Sequence, residues 1–197
     1  VSGEPFIKSF TEKWLNDFSL RASYGVTGKS PDADYLYFNR YSTYSYGYLG
    51  ESTSFPSSLE LKQLRWERSA QNNYGLNFVA FDYKLNIEFD YYIRTTRDQY
   101  SAINNIPTSS GFSTMALNFG TLQNKGWELS VSYTPVKTKD WNVNFVFNMA
   151  REENAVTQLS EYADLDNFED WSKNGEYITR IVAGQPRGAF YGYKYDG

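Results

Sequence analysis

The sequence predicts an all-β fold in which antiparallel, up-and-down strands form part of a transmembrane β-barrel wall. Three observations predict it. Apolar and polar residues alternate with a period of two through most of the stretch from Arg68 to Met149. The connections between these runs alternate between short and long. The apolar sets carry no Lys, Arg, Asp or Glu between their turn-proximal ends, and large aromatics gather near those ends. Side chains in a strand point to opposite faces in turn, so a period of two means one apolar and one polar face. Alternation alone suits a soluble half-buried sheet as well as a barrel, so loops, charge and aromatics have to decide.

Taken in order, Phe6 and Ile7 read as the tail of a strand and Ser9 to Lys13 as a short polar turn. Trp14 to Thr27 then alternates, with Trp14, Phe18, Leu20, Ala22, Tyr24 and Val26 opposite Leu15, Asp17, Ser19, Arg21, Ser23 and Gly25. Asn16 interrupts the apolar set. From Gly28 to about Lys62 the period is lost among Ser, Tyr, Gly and Pro, which predicts a long loop with a short hairpin around Tyr41 to Tyr48. The next strand, Arg68 to Ala80, meets the turn Phe81-Asp82-Tyr83-Lys84, and Leu85 to Arg94 follows without a slip. Thr95 to about Ala116 reads as a second long connection. The strand through Trp127, Leu129, Val131 and Tyr133 is expected to stop at Pro135, whose missing N–H halts ladder pairing. After a short turn from Val136 to Asp140, Trp141 to Ala150 alternates again. Arg151 to about Tyr177 reads as a third long, acidic connection, and Ile178 to Tyr195 as a final strand broken by Gly184, Pro186 and Gly188.

Short turns on one side and long loops on the other are what strands running up and down through an outer membrane produce, and Greek-key crossings give no such rhythm. Trp14, Tyr24, Tyr83, Trp127, Tyr133 and Trp141 stand where interfacial aromatic belts would lie. These features favour the barrel over a secreted β-sandwich that binds glycans through exposed Tyr and Trp, which remains the alternative. Leu85, Ile87, Phe89, Tyr91, Leu129, Val131, Val143, Phe145 and Phe147 are then the expected lipid-facing residues.

Composition narrows the function classes. A net charge of -4 with no basic stripe argues against a nucleic-acid partner. The absence of Cys removes disulfides and thiolate metal sites, and the absence of His removes the usual general base and the commonest neutral metal ligand. The chain is therefore expected not to be an enzyme and to carry no cofactor or metal. Aromatics reach 19%, as membrane girdles and carbohydrate-binding surfaces both require. Mean hydropathy is -0.61, and no apolar run approaches the roughly 18 residues of a spanning helix. A barrel strand needs only about 9 to 11 residues with every second one apolar, so this leaves the barrel intact. Val1 to Pro5 shows no targeting signal, and the chain is expected to be a piece of something longer.

Several motifs resemble one family. Leu20-Arg21-Ala22-Ser23-Tyr24-Gly25, Trp66-Glu67-Arg68, Ile106-Pro107 with Ser110-Gly111-Phe112, Asn124-Lys125-Gly126-Trp127-Glu128-Leu129 and the run Gly184 to Tyr193 are similar to SusC/RagA-type TonB-dependent transporters of the Bacteroidetes outer membrane. The resemblance spans nearly the whole chain, residues 1–197, in family order. It implies a roughly 22-stranded barrel to which this chain gives about six strands of the C-terminal half. It also implies a plug domain, a TonB box, a signal peptide and a last strand lying outside this sequence. The partners it implies are a SusD-like surface lipoprotein, the TonB complex acting through the plug, and outer-membrane lipid. Its implied function is energy-coupled import of oligosaccharides or peptides, located in the bacterial outer membrane.

Site candidates follow. Glu88, Asp90 and Arg94 share one polar face, but carboxylates two apart on a strand define no leaving-group geometry, so substrate contact or hydrogen bonding to neighbours is expected rather than catalysis. Tyr44, Tyr46 and Tyr48, with Tyr35, Tyr37 and Tyr41, offer rings that stack on sugars or pack within the loop and against a partner. Asp164, Asp166, Glu169 and Asp170 do not follow the EF-hand spacing and read as a solvated acidic loop. Gly184 to Gly188 reads as a turn and not a phosphate loop, since no Gly-Lys-Ser/Thr follows.

Overall fold

The computed structural model describes residues 14–31, 34–47, 50–103, 106–112, 114–160, 178–191 and 195. The expected turn from Ser9 to Lys13, Tyr48 and the acidic loop of Asp164 to Asp170 lie outside them. Among the described residues nine strands follow in chain order: β1 (Leu15–Lys29), β2 (Tyr41–Tyr44), β3 (Thr53–Pro56), β4 (Glu67–Ala80), β5 (Leu85–Ile103), β6 (Met115–Lys137), β7 (Asn142–Leu159), β8 (Ile178–Arg180) and β9 (Ala189–Tyr191). The fold is all-β and antiparallel. One five-stranded sheet has the order β1-β4-β5-β6-β7, so its long strands are neighbours in the sequence in which they occur. β2 with β3, and β8 with β9, form separate two-stranded ladders.

Three expectations change. Thr95 to Ile103, Met115 with Ala116, and Arg151 to Leu159 belong to β5, β6 and β7 rather than to loop, giving strands of 19, 23 and 18 residues. In the β5 and β7 extensions the period of two fades because polar residues occupy both faces, yet the backbone ladder does not depend on which side chains it carries. β6 also passes through Pro135 to Lys137. Proline removes one ladder donor, and so near a strand end that loss does not stop pairing. Ile178 to Tyr195 is not a sixth long strand. Residues 178–191 fold into a hairpin in which Ile178, Thr179 and Arg180 pair with Tyr191, Phe190 and Ala189. Gly184 and Gly188, at φ 84° and 83°, supply left-handed positions in its connection. The hairpin expected around Tyr41 to Tyr48 is wider than that: Tyr41 to Tyr44 pair with Pro56 to Thr53, beyond the expected bounds.

The chain divides into two compact units. One comprises Val1–Val26, Ala70–Thr95 and Asn124–Asn154. It holds the stretches with clean alternation. Trp14, just before β1, meets Phe78 of β4 at 6.0 Å between ring centroids, and Phe89 of β5 meets Trp127 of β6 at 6.3 Å, so apolar contacts join these neighbouring strands. Among the described residues no second sheet seals this face: Phe89 is 38% exposed, Phe145 62% and Phe147 55%. Leu85, Ile87, Tyr91, Leu129, Val131 and Val143 are half-buried by same-face neighbours. A sandwich would bury such residues under a facing sheet about 10 Å away. Among the described residues of the whole chain only Ala80, Phe119 and Val156 are buried apolar groups.

The β4–β5 turn explains the interruption at Asn16. Phe81, Asp82 and Tyr83 all take left-handed conformations, φ 57°, 54° and 63°, which cost an L-residue roughly 1 kcal/mol or more each. Three hydrogen bonds hold them. Lys84 N donates to Phe81 O (3.2 Å), Phe81 N to Trp14 O (2.7 Å), and Tyr83 N to Asn16 Oδ1 (3.0 Å). Asn16 thus spends its polarity on the turn backbone.

The other unit comprises Thr27–Ser69, Thr96–Gln123 and Ala155–Gly197. Asn118 of β6 organises part of it. Its side chain accepts from Arg65 N (2.8 Å) and donates to Arg65 O (2.9 Å) and Asp98 O (2.7 Å), substituting for a strand partner. Asp98 sits at φ 55° inside β5, a left-handed residue of the kind that marks a bulge. The β8–β9 connection is tied to β7, with Val156 N donating to Gln185 O (2.9 Å) and Gly184 N to Val156 O (2.7 Å). Phe119 and Val156 are buried here.

Candidate functional site

The polar face of the first unit is the candidate site, because it brings titratable and amide side chains from neighbouring strands into one cross-strand network. On β1, β4 and β5, Asn73 Nδ2 donates to Ser23 Oγ (3.1 Å), Gln71 Nε2 to Asn73 Oδ1 (2.7 Å), and Arg94 Nε to Gln71 Oε1 (2.9 Å). Alternation places all of these on one face. Arg94 is therefore engaged by a neighbour, as the sequence allowed.

Asp90 has a partner that the sequence left unassigned. Arg21 Nη2 reaches from β1 to Asp90 Oδ1 at 3.0 Å and Oδ2 at 3.2 Å on β5, although β4 lies between the two strands. Gly75 on β4 opens the way. A Cβ there would stand 2.5 Å from Asp90 Oδ1 and 2.8 Å from Arg21 Nε. Both side chains are 49% exposed, so the bridge orients them across the face more than it stabilises the sheet. Glu88 accepts from Asn86 Nδ2 at 3.5 Å, the long limit of a hydrogen bond, and remains exposed. With Asp90, Glu128, Ser130 and Asn148 it lines an open depression on β5, β6 and β7. At Gly126, an added Cβ would meet the Tyr92 hydroxyl at 2.8 Å, so the ring of β5 lies over the bare backbone of β6. The arrangement can bind polar groups from several strands at once. Among the described residues it brings no nucleophile and base into contact.

In the other unit, Tyr44 is 58% exposed and its ring stacks on Phe55 at 4.3 Å, while Tyr46 is 96% exposed. Tyr37 and Phe38 meet at 4.1 Å, and Tyr35 at φ 59° turns through a left-handed position with Phe38 N donating to its carbonyl. Tyr44 thus packs within its own ladder, and Tyr46 projects. The sequence had set the packed and ligand-facing readings side by side for these rings.

Opposite the polar face, sequence reasoning missed a charged group. Lys125 and Arg151 flank Glu153, with Lys125 Nζ 3.2 Å from Glu153 Oε2 and Arg151 Nη2 2.6 Å from Glu153 Oε1. The Lys125 hydrogen bond, then the Arg151 charge, hold the Glu153 carboxyl below its usual range. Parity would have found it. Lys125 is two residues before Trp127, and Arg151 and Glu153 are two and four after Met149.

A family described as TonB dependent receptor-like, beta-barrel, matches residues 9–196. The chain belongs to the TonB-dependent receptor β-barrel family. The barrel segment is 35% identical over 196 residues to TonB-dependent receptor P39 of Formosa agariphila, covering 98% of this chain and 17% of that protein. To TonB-dependent receptor SusC of Bacteroides thetaiotaomicron it is 30% identical over 176 residues, 85% of this chain and 17% of SusC. Among solved structures, the RagAB peptide importer in its open-open state matches with a TM-score of 0.67 at 30% identity, covering 88% of this chain and 18% of that one. The RagAB peptide transporter gives 0.63 at 33% identity, covering 76% and 16%. The segment spans about a fifth of the length of the curated relatives it matches. Those relatives are named as TonB-dependent receptors.

Proposed function

We propose that this chain is wall from an energy-coupled outer-membrane importer that takes up oligosaccharides or peptides with a SusD-like lipoprotein and is driven by TonB through a plug outside this sequence. The observation that carries it is the two-faced sheet. One face is apolar and uncovered among the described residues, as a surface meeting hydrocarbon must be. The other is a hydrogen-bonded polar lining that presents Glu88, Asp90 and Arg94 to a lumen. Membership in a family with SusC, and likeness to the RagAB peptide importer, supports the partner and the peptide class, while the oligosaccharide class follows from the motif resemblance. Leu85 to Ile93, Trp127 to Tyr133 and Val143 to Met149 are then the membrane-crossing segments. The strand extensions beyond Ile93 and Met149 lead toward the long connections, which face outward in such barrels. On this reading Tyr44 and Tyr46 belong to the outward loops as contacts for substrate or for the lipoprotein.

The test is a deletion of the parent gene, with growth compared on a panel of glycans and peptides as sole nutrients. The deletion should abolish growth on one glycan or peptide class, and the parent gene should restore it. Unimpaired growth on every member of the panel would overturn the importer reading.

A further inference from the structure

On the proposed membrane-crossing segments the apolar set should continue until water is reached, and the first charged residues on that face mark where it ends. In each of four strands that first charge, at the end leading to a long connection, is basic: Arg68 two before Ala70 on β4, Arg97 two after Thr95 on β5, Lys125 two before Trp127 on β6, and Arg151 two after Met149 on β7. Within the first unit, Lys125 and Arg151 share a cleft with the rings of Tyr91 and Trp127. Their side chains are 49% and 67% exposed, and a single carboxylate, Glu153, lies between them, leaving one positive charge in excess. Aromatic rings with basic side chains just beyond an apolar band occupy headgroup depth in a bilayer.

We propose that Lys125 and Arg151, beside Tyr91 and Trp127, seat the phosphate of an anionic lipid headgroup in the leaflet nearest the long loops. The occupant follows from charge complementarity and from continuity with the apolar face, whose own contact is hydrocarbon. A phosphate there bridges the two cations, while the acyl chains lie along Phe89, Val131 and Phe147. Glu153 tempers the site by competing for both cations. The inference rests on the membrane-wall reading.

The experiment uses the full-length parent receptor in uncharged detergent, with native mass spectrometry counting bound phosphatidylglycerol against phosphatidylcholine. The wild type should retain phosphatidylglycerol preferentially. Lys125→Gln combined with Arg151→Gln should weaken that retention by about 30-fold, the factor two surface-adjacent cations supply. Glu153→Gln should strengthen it, whereas a purely structural ion pair would give no gain. Equal retention by wild type and the double variant would overturn the proposal. So would displacement of phosphatidylglycerol by inorganic phosphate alone, which would make this a simple anion site. Resistance of the folded receptor to SDS at room temperature reports the barrel separately. A resistant receptor without lipid preference sinks only the headgroup site, and a receptor lacking resistance sinks the membrane-wall reading as well.

Discussion

Phe145→Arg in the parent receptor tests the two-faced wall most sharply. From Trp141 to Met149 there are eight residue steps along β7. At about 3.4 Å each these cover roughly 27 Å along the strand, or about 20 Å along the membrane normal at a tilt near 40°, close to the usual apolar band. Phe145 falls at the midpoint and is 62% exposed, so its ring would meet hydrocarbon directly. An Arg at that depth costs about 2 to 4 kcal/mol, and the same change at Trp141, near the edge, about 0 to 1 kcal/mol. One residue away the face reverses. Asn144 Oδ1 accepts from Ser132 Oγ (3.1 Å) and Thr134 Oγ1 (3.2 Å), so Asn144→Arg loses two exposed hydrogen bonds, about 1 kcal/mol in total. Asn148→Arg would meet Glu88, Asp90 and Glu128 across the open depression and should be neutral or slightly favourable. Urea-driven equilibrium between soluble chain and vesicle-inserted barrel, followed by tryptophan fluorescence, reads all four variants. The expected order of destabilisation is Phe145 first, then Asn144 and Trp141, then Asn148. If Phe145→Arg costs no more than Asn144→Arg, or no more than Trp141→Arg, the apolar face does not meet lipid and the wall reading fails.

Gly75→Ala should be nearly neutral in the same assay, because reduced freedom of the unfolded chain stabilises by about 0.4 to 1 kcal/mol while the displaced Arg21–Asp90 bridge loses a similar amount. In an Arg21→Gln background the same substitution should become stabilising, and identical effects in both backgrounds would show that Gly75 does not serve the bridge. Asn16→Ala should destabilise by roughly 0.5 to 1 kcal/mol by leaving the Tyr83 N–H to water. Asn16→Asp keeps an acceptor and should recover most of that loss, so equal destabilisation by both variants would remove Asn16 from the turn.

Asp90 and Arg94 were legible as members of one polar face because parity along β5 needs only the order of residues. Their partners were not. Arg21 lies 69 positions from Asp90 and on a strand that does not adjoin β5. Only the strand order and the bare backbone at Gly75 bring them together. The charged trio of Lys125, Arg151 and Glu153 could have been found by parity, but it lies just beyond the point where alternation stops. Asn16 looked like a flaw in the pattern until the left-handed turn from Phe81 to Tyr83 showed what its amide serves.

By itself the sequence determined which side chains are apolar on which face, where the tight turns fall, and that the connections alternate in length. These follow from a local rule, since successive residues in a strand must point opposite ways. The tertiary structure decided how far β5, β6 and β7 run, that Ile178 to Tyr191 folds back as a hairpin, and which residues meet across the sheet. Backbone pairing between strands sets those features, and it continues wherever a neighbouring strand offers donors and acceptors, whether or not the side chains still alternate.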